Sequence, residues 1–252
     1  MNIAVRPAEL QEIAALRAEY QAEMSCQIIH DSLHTREGWT LEYLLESAGL
    51  PIGYGSVAVG GPWTKTRTLY EFYLRPAYRC RLFECFDTLL AACQAVAVET
   101  QTNDRILSVL LHAVCKNILV ESILFEDSFL TDLRVKGGIV RRVAPEDAPL
   151  LERMKLDGTS GWLLELDGMP VAAGGVLYHY NRPYADLYME VAEPHRRRGM
   201  GSFLVQELKA ACHAEGSIPA ARCHVGNLPS RRTLQKAGFI PCGCLLAGHV
   251  PE

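Results

Sequence analysis

A short stretch in the second half of the chain alternates strictly between apolar and polar residues. In DLYMEV, residues 186–191, the period of two predicts a strand with one apolar and one polar face. The apolar face carries Leu187, Met189 and Val191, and the polar face carries Tyr188 and Glu190. We therefore expect one face of this strand to pack in a core and the other to remain available for chemistry.

Beyond Gly201 the apolar residues recur at the spacing of a helix. One helical face consists of Leu204, Leu208, Ala211 and Cys212. Gly216 then supplies a stop signal, because glycine is common just past the end of a helix. The intervening run EPHRRRGMG, residues 193–201, is therefore predicted to be a strand-to-helix turn.

The sequence also contains an internal repeat. LESAGLPIGYGSV, which begins at Leu45, and LELDGMPVAAGGV, which begins at Leu164, share Leu-Glu, Gly, Pro, Gly and Val at the same spacing, 119 positions apart. A repeat of this length is far too long for a solenoid unit and indicates two related domains in tandem. Apolar runs around Asp167-Gly168 form a strong hairpin signal, so each domain is predicted to be α+β. The expected domains are residues 1–135 and residues 139–252.

The composition is typical of a globular protein and excludes several classes. Of 252 residues, 49% are hydrophobic, and the formal net charge of -4 argues against a nucleic-acid-binding protein. The nine cysteines are scattered without disulfide or zinc-ligand spacing, so we expect reduced thiols in a cytoplasmic protein and no bound metal. Neither a signal peptide nor a membrane span is expected, since no apolar stretch reaches roughly 18 residues.

The arginine-glycine turn has the physical features of an anion site. A helix start presents unpaired N–H groups and the positive end of the helix dipole. Gly199 and Gly201 lack the Cβ atoms that would block an approaching phosphate, and the three arginines from Arg196 to Arg198 add positive charge. The alternative interpretation is a solvated arginine run beside a flexible turn, because a lone Gly-x-Gly is a weak signal.

Two motifs in this half resemble the GNAT superfamily of acyl-CoA-dependent acetyltransferases. The pattern of its motif A is matched by Arg196, Gly199 and Gly201, and that of motif B by Asn227, Ser230 and Gly238-Phe239. The resemblance implies a mixed, twisted sheet with helices on both sides and acetyl-CoA in a cleft between two splayed strands. It places pantetheine at Val191 and pyrophosphate on the N–H groups from Arg197 to Ser202. The implied cofactor-binding residues are Val191, Arg196, Arg197, Arg198, Gly199, Met200, Gly201, Ser202, Asn227 and Ser230.

The resemblance also implies direct attack of an amine on the thioester, which requires a base. Glu190 is our first choice because it lies next to the expected cofactor contact, although it is equally explained as a solvated or ion-paired strand carboxylate. Asp186 and His224 are alternative bases, and we expect His224 to be a buried, hydrogen-bonded core residue. Many family members carry a tyrosine proton donor where this chain has Leu234. Tyr188, Cys223 or water are the remaining donors, or the thiolate leaves unassisted.

The first repeat departs further from the family pattern. Its counterpart of motif A, RPAYRCRLFECF at residues 75–86, contains no glycine, so we expect a degenerate domain that keeps the fold and not the cofactor. Cys26–Trp39 is expected to be a solvated loop, with contact to the acceptor as the alternative. The predicted function is N-acetylation of a small-molecule or peptide amine by a monomer or homodimer, with neither nucleic acid nor membrane as a partner. A non-catalytic acyl-CoA-binding sensor or scaffold is the alternative function.

Overall fold

The computed structural model describes residues 2–251 and divides the chain into two compact units. Unit 1 consists of residues 1–122 together with 243–252, and unit 2 consists of residues 123–242. This division differs from the linear boundary expected between residues 135 and 139, because the last ten residues belong with the first 122. Among the described residues, no helix combines the length and the apolar character that crossing a membrane requires.

Unit 1 is an α+β unit with helices on both faces of its sheet. The strands follow the order β1-β2-β3-β4-β5-β12, and β4 and β5 are parallel neighbours in an otherwise antiparallel arrangement. On one face of the sheet, α2 and α3 pack against a core that includes Phe72 and Leu89. The other face packs α1 onto a core that includes Leu16 and Tyr54. The elements are β1 Ile3–Ala8, α1 Leu10–Met24, β2 Thr40–Ser47, β3 Leu50–Ala58, β4 Thr68–Leu74, α2 Leu82–Cys93, β5 Ala97–Gln101, α3 Arg105–Val114 and, through its residues from 243 onwards, β12 Phe239–His249.

Unit 2 repeats this plan. Its strands follow the order β6-β11-β10-β9-β8-β7, and β10 and β11 are parallel. α5 and α6 cover one face through a core that includes Leu204 and Leu234, and the short α4 covers part of the other face through Leu151. The elements are, through its residues from 123 onwards, β6 Lys116–Asp127, then β7 Ile139–Arg142, α4 Ala148–Met154, β8 Trp162–Leu166, β9 Met169–Leu177, β10 Tyr184–Val191, α5 Met200–Ala214, β11 Ile218–His224 and α6 Leu228–Lys236.

The local predictions for the second repeat are confirmed. Residues 186–191 lie in β10, and the residues after the glycine pair form α5. The predicted hairpin connects β8 and β9 through Asp167 and Gly168, which both have positive φ values of 51° and 75°. The equivalent hairpin of unit 1 has the same geometry at Ala48 and Gly49. Two successive positive φ values are characteristic of a type I′ turn, whose twist matches that of the flanking strands.

The prediction that Cys26–Trp39 is a solvated loop is wrong. His34 lies in this segment, and its side chain is only 1% exposed. Its ring bridges two buried carboxylates, with Nδ1 3.0 Å from Glu42 Oε1 and Nε2 3.1 Å from Glu71 Oε2. Carboxylates on two strands cannot be buried together without a compensating charge. The segment folds inward because His34 supplies that charge.

His34 should make unit 1 more stable at about pH 6 than at about pH 9. Burial favours the neutral ring, but the carboxylates of Glu71 and Glu42 outweigh it and raise the pKa of His34 to about 9. A histidine whose pKa is raised by folding stabilises the protein fully below its unfolded pKa of about 6.5. That contribution is lost as the pH rises to about 9. Urea unfolding should show a decline of about 3 kcal/mol in the free energy of unfolding across this window.

The His34→Gln variant is the control for this prediction. We expect it to be less stable than the parent at low pH and to lack the decline between about pH 6.5 and 9. An equal decline in both proteins would assign the pH dependence to other groups.

Candidate active site

The central feature of unit 2 is a cleft between two parallel strands. β10 and β11 pair only at Tyr184–Ile218, Ala185–Pro219 and Asp186–Ala220. Beyond Asp186, β10 continues to pair with β9 as far as Val191, so it is β11 that departs. The backbone edge of β10 that faces β11 is therefore left open over its last five residues.

The two faces of this cleft differ in chemistry. On the α5 face, Leu187, Met189 and Val191 of β10 pack in the same core as Ala221 and Cys223 of β11. The alternation predicted for β10 is thus confirmed. The opposite face carries the polar residues Asp186, Tyr188 and Glu190 of β10 and Arg222 and His224 of β11.

The turn after β10 leads directly into the start of α5. Arg197 and Gly199 both adopt positive φ, at 61° and 85°, and this folds the chain sharply. Gly199 is the N-cap residue of α5, and no side chain caps the helix. The first N–H groups of α5 therefore have no partner within the helix and can bind an anion.

Gly201 is required for packing between α5 and β10, whereas the sequence analysis expected it to leave room for a phosphate. A Cβ at Gly201 would lie 3.1 Å from Met189 Sδ and 3.2 Å from Val191 Cγ2, so it would point into the contact between α5 and β10. It would not point towards an approaching phosphate. Met200 and Ser202 are likewise buried, and the Ser202 hydroxyl donates to the carbonyl of Thr233 at 3.2 Å. These residues can offer a ligand their backbone N–H groups only.

Two of the three arginines in this turn have no ion-pair partner among the described residues. Within residues 2–251, Arg197 and Arg198 are exposed and form no ion pair or hydrogen bond. Arg196 instead donates from Nε to the carbonyl oxygen of Val191 at 3.0 Å, which anchors the turn to the end of β10. The Lys236 amine adds a further cation close to Gly199. The start of α5 is therefore a region of uncompensated positive charge.

The motif B residues have structural roles within α6. Asn227 is the N-cap, and its side-chain oxygen accepts from the N–H of Ser230 at 3.1 Å. Leu234 is 4% exposed and belongs to the main core of unit 2. Asn227 thus fixes the start of α6, whose Thr233 lies against Gly201.

Comparison with known proteins supports the assignment made from the motifs. Residues 128–239 match the family model described as the Acetyltransferase (GNAT) family. This segment is therefore similar to GNAT acetyltransferase domains. No curated protein sequence matches the chain.

Several solved structures resemble the whole chain. A GNAT-family acetyltransferase from Colwellia psychrerythraea has 16% identity and a TM-score of 0.76, covering 98% of this chain and 100% of its own. A tandem GNAT protein from the clavulanic acid biosynthesis pathway has 12% identity and a TM-score of 0.66, covering 100% and 99%. A GCN5-related N-acetyltransferase from Sphaerobacter thermophilus has 15% identity and a TM-score of 0.62, covering 99% and 96%. These likenesses show that the chain has a GNAT fold, as expected from its sequence.

The predicted catalytic residues of unit 2 lie on the polar face of the cleft. The Glu190 carboxylate accepts the backbone N–H of Asp157 through Oε1, and its Oε2 contacts no donor among the described residues. The Tyr188 ring lies over Gly175 of β9. A Cβ atom added to Gly175 would lie 3.0 Å from the Tyr188 hydroxyl oxygen. Glu190 is thus oriented by a backbone contact, and Tyr188 lies over the neighbouring strand.

Two of the other sequence-based candidates have different environments. The prediction that His224 is a buried core residue is wrong: it is exposed at the end of β11, and its Nδ1 accepts the N–H of Gly226 at 3.1 Å. It is exposed because it lies on the polar face, beyond the residues of β11 that pair with β10. Cys223 faces the core on the opposite side, and burial raises the pKa of its thiol.

Asp186, the other alternative base, lies beside two residues that the sequence analysis missed, His179 and Tyr180. Asp186 is 6% exposed at the point where the strands separate, and His179 Nε2 lies 3.1 Å from its Oδ2. Tyr180 is also buried, and burial, followed by the nearby Asp186 charge, raises the pKa of its hydroxyl well above the usual value. His179 and Tyr180 follow β9 without a recognisable motif, so only the fold reveals them. No set of three or more metal-ligating side chains is found among residues 2–251.

In the corresponding turn of unit 1, each arginine is neutralised by a glutamate. Arg75, Arg79 and Arg81 pair with Glu19, Glu23 and Glu84 at 2.6, 2.6 and 2.5 Å. Arg79 donates from Nε to the Leu74 carbonyl five residues earlier, just as Arg196 does to Val191 in unit 2. Unit 1 therefore repeats the geometry of the turn, while carboxylates neutralise its arginines.

Proposed function

We propose that unit 2 is an acetyl-CoA-dependent N-acetyltransferase that acts on a primary amine of a small molecule or peptide. One observation carries the proposal: an open strand cleft ends at an uncapped helix start with unpaired arginines. β10 and β11 separate after Asp186 and Ala220, and Arg197 and Arg198 precede α5. A thioester with a pyrophosphate-containing tail needs an extended channel and an anion site, which these features supply.

The reaction requires a neutral amine, and Glu190 is the proposed base. Its Oε1 is held by Asp157 N–H, and its free Oε2 accepts the proton of the ammonium group, directly or through a water. The amine nitrogen then forms a bond to the thioester carbonyl carbon and loses a second proton to water, the C–S bond breaks, and coenzyme A leaves as a thiolate. We propose that water protonates this thiolate, because Tyr188 lies over Gly175 and Cys223 faces the core.

A non-catalytic acyl-CoA sensor is the second candidate. Leu234 favours it, because this position holds a buried core residue and offers no hydroxyl proton donor. Thiol release from acetyl-CoA in the presence of a panel of amines separates the two functions. Amine-dependent release supports the transferase, whereas tight binding without release for any amine supports the sensor.

Acetyl-CoA should bind with a stoichiometry of one per chain, at unit 2. Arg197 and Arg198 are unpaired, whereas the arginines of the unit 1 turn already pair with glutamates. A hydrogen bond to a charged group is worth about 1.5–3 kcal/mol, so replacing both Arg197 and Arg198 by alanine should weaken binding by at least about tenfold. Isothermal titration calorimetry measures both quantities.

Arg81→Ala is the matched control for this prediction. It removes one arginine charge from the equivalent turn of unit 1, where Arg81 pairs with Glu84. We expect unchanged affinity. A stoichiometry of two, or equal losses in both variants, would contradict the assignment of the site to unit 2.

A further inference from the structure

The polar face of the cleft carries a cation that the proposed chemistry does not use. In β11, Arg222 lies two residues beyond Ala220, the last residue paired with β10, and so shares a face with Asp186. Continuing the register places Arg222 opposite Tyr188, between Asp186 and Glu190 along the cleft. Arg222 therefore lies on the same face of the cleft as Glu190, the proposed base.

Arg222 has no carboxylate partner among the residues that the structure describes. Asp186, which lies on the same face, has its Oδ2 3.1 Å from His179 Nε2. Arg222 is half-buried, and its guanidinium group forms no ion pair or hydrogen bond within residues 2–251. Its five N–H donors are therefore available to a ligand.

A second donor lies beside it. Tyr180 is 4% exposed, and its hydroxyl makes no well-directed hydrogen bond within residues 2–251. Asp186 is the nearby acceptor for this hydroxyl, and the charges of Asp186 and Arg222 both act on it. A buried hydroxyl whose hydrogen bond is poorly formed is unfavourable, which favours a ligand that accepts its hydrogen bond.

We propose that the acceptor is an amine that also carries a carboxylate, and that Arg222 and Tyr180 bind this carboxylate. This inference rests on the proposed N-acetyltransferase function. The guanidinium fork matches the two oxygens of a carboxylate, and Tyr180 donates a further hydrogen bond. The ammonium group of the same molecule then faces Glu190, about two strand residues or roughly 7 Å further along the cleft. Short amino acids have this arrangement of charges.

The test compares amino acids with their carboxamides as acceptors. Thiol release from acetyl-CoA is measured with glycine, L-alanine and β-alanine, and with the matched amides. The amide series preserves shape and removes only the negative charge. Amides also have less basic amines, so a difference in amine protonation at neutral pH would favour them over the acids. We expect kcat/KM to be about tenfold to a hundredfold higher for the acids.

Variants of Arg222 assign this preference to the proposed site. Arg222→Met should lower kcat/KM about tenfold or more for the amino acids and leave the amides unchanged, and Arg222→Lys should recover part of the loss. Arg134→Met is the control, since Arg134 is exposed and pairs with Asp132. Calorimetry should show unchanged acetyl-CoA affinity in all three variants.

The outcomes separate this inference from the proposed function. If acetyl-CoA binds and amides are acetylated as well as acids, the inference is overturned and the transferase stands. A preference for amines that carry a phosphate, or an equal loss on acids and amides in Arg222→Met, also overturns the inference. If acetyl-CoA does not bind to the parent protein, the proposed function itself fails.

Discussion

Replacing Glu190 by glutamine is expected to lower kcat at neutral pH by about 10²–10⁴-fold, the usual contribution of a general base. The amide oxygen of glutamine can still accept the N–H of Asp157, so the side chain should keep its orientation. What the variant loses is the ability of Oε2 to take a proton. Steady-state thiol release, with the acceptor at saturation, measures the effect.

Acetyl-CoA affinity is the control for this variant. The proposed contacts of the coenzyme are the N–H groups of α5 and the two unpaired arginines, none of which changes in Glu190→Gln. We expect calorimetry to give the same dissociation constant as for the parent. A parallel loss of binding and turnover would show that Glu190 supports the cleft structurally.

Two further variants test whether the base has been assigned correctly. Asp186→Asn changes the buried carboxylate beside His179, and His224→Ala removes an exposed side chain at the end of β11. If either variant loses turnover while Glu190→Gln keeps near-normal turnover, the base is the residue replaced in the inactive variant and not Glu190. His224 is exposed to solvent, so its replacement should leave the fold intact.

The parts of the site that the sequence predicts are those encoded locally. The alternation in β10, the helical period of α5 and the turn between them follow from residues that are close in the chain. The hairpin at Asp167-Gly168 is similarly local, because its turn geometry depends on two residues. These predictions need no knowledge of long-range packing.

The features that the sequence does not predict depend on distant partners. Gly201 faces Met189 and Thr233, so its packing role becomes visible only when α5, α6 and β10 are brought together. The pairing of His179 with Asp186 joins a loop to a strand without any motif. Hydrophobic periodicity carries no information about either contact.

The first repeat shows the same limit. The absence of glycine from its turn is apparent in the sequence, but the ion pairs that neutralise its arginines are not. Glu19 and Glu23 lie in α1, 56 residues before the arginines they contact. His34 likewise needs Glu42 and Glu71 from two strands to explain its burial. A polar segment that folds inward around such a group looks like a loop in the sequence.

Removal of residues 243–252 is expected to unfold unit 1, although these residues lie at the opposite end of the chain. In unit 1 the strand Leu245–His249 pairs with the whole of β5, from Gln101 to Ala97. Two hydrogen bonds between Thr102 and Cys244, both 2.9 Å, and one from Val250 to Val96 extend this pairing. The deletion removes every one of these contacts.

The expected loss is large because it combines core and backbone contacts. Leu245 and Leu246 are each 4% exposed, and burial of such side chains contributes about 1.5–3 kcal/mol apiece. The deletion also makes β5 an edge strand, with the edge that faced β12 left unpaired, which favours aggregation. The sum is comparable to the whole free energy of unfolding of a typical domain, about 5–15 kcal/mol. Hydrogen exchange should therefore show loss of amide protection throughout β1 to β5.

A shorter truncation and a point variant make this prediction specific. Ending the chain after Val250 keeps the β5 pairing and should preserve amide protection in unit 1. Leu246→Ala keeps the backbone pairing and removes one core side chain, so it should lower the free energy of unfolding by about 2–5 kcal/mol while the unit still folds. If the protein that lacks residues 243–252 retained protected amides in β4 and β5, the pairing with β12 would be dispensable. The folding of unit 1 would then depend on its first 122 residues alone.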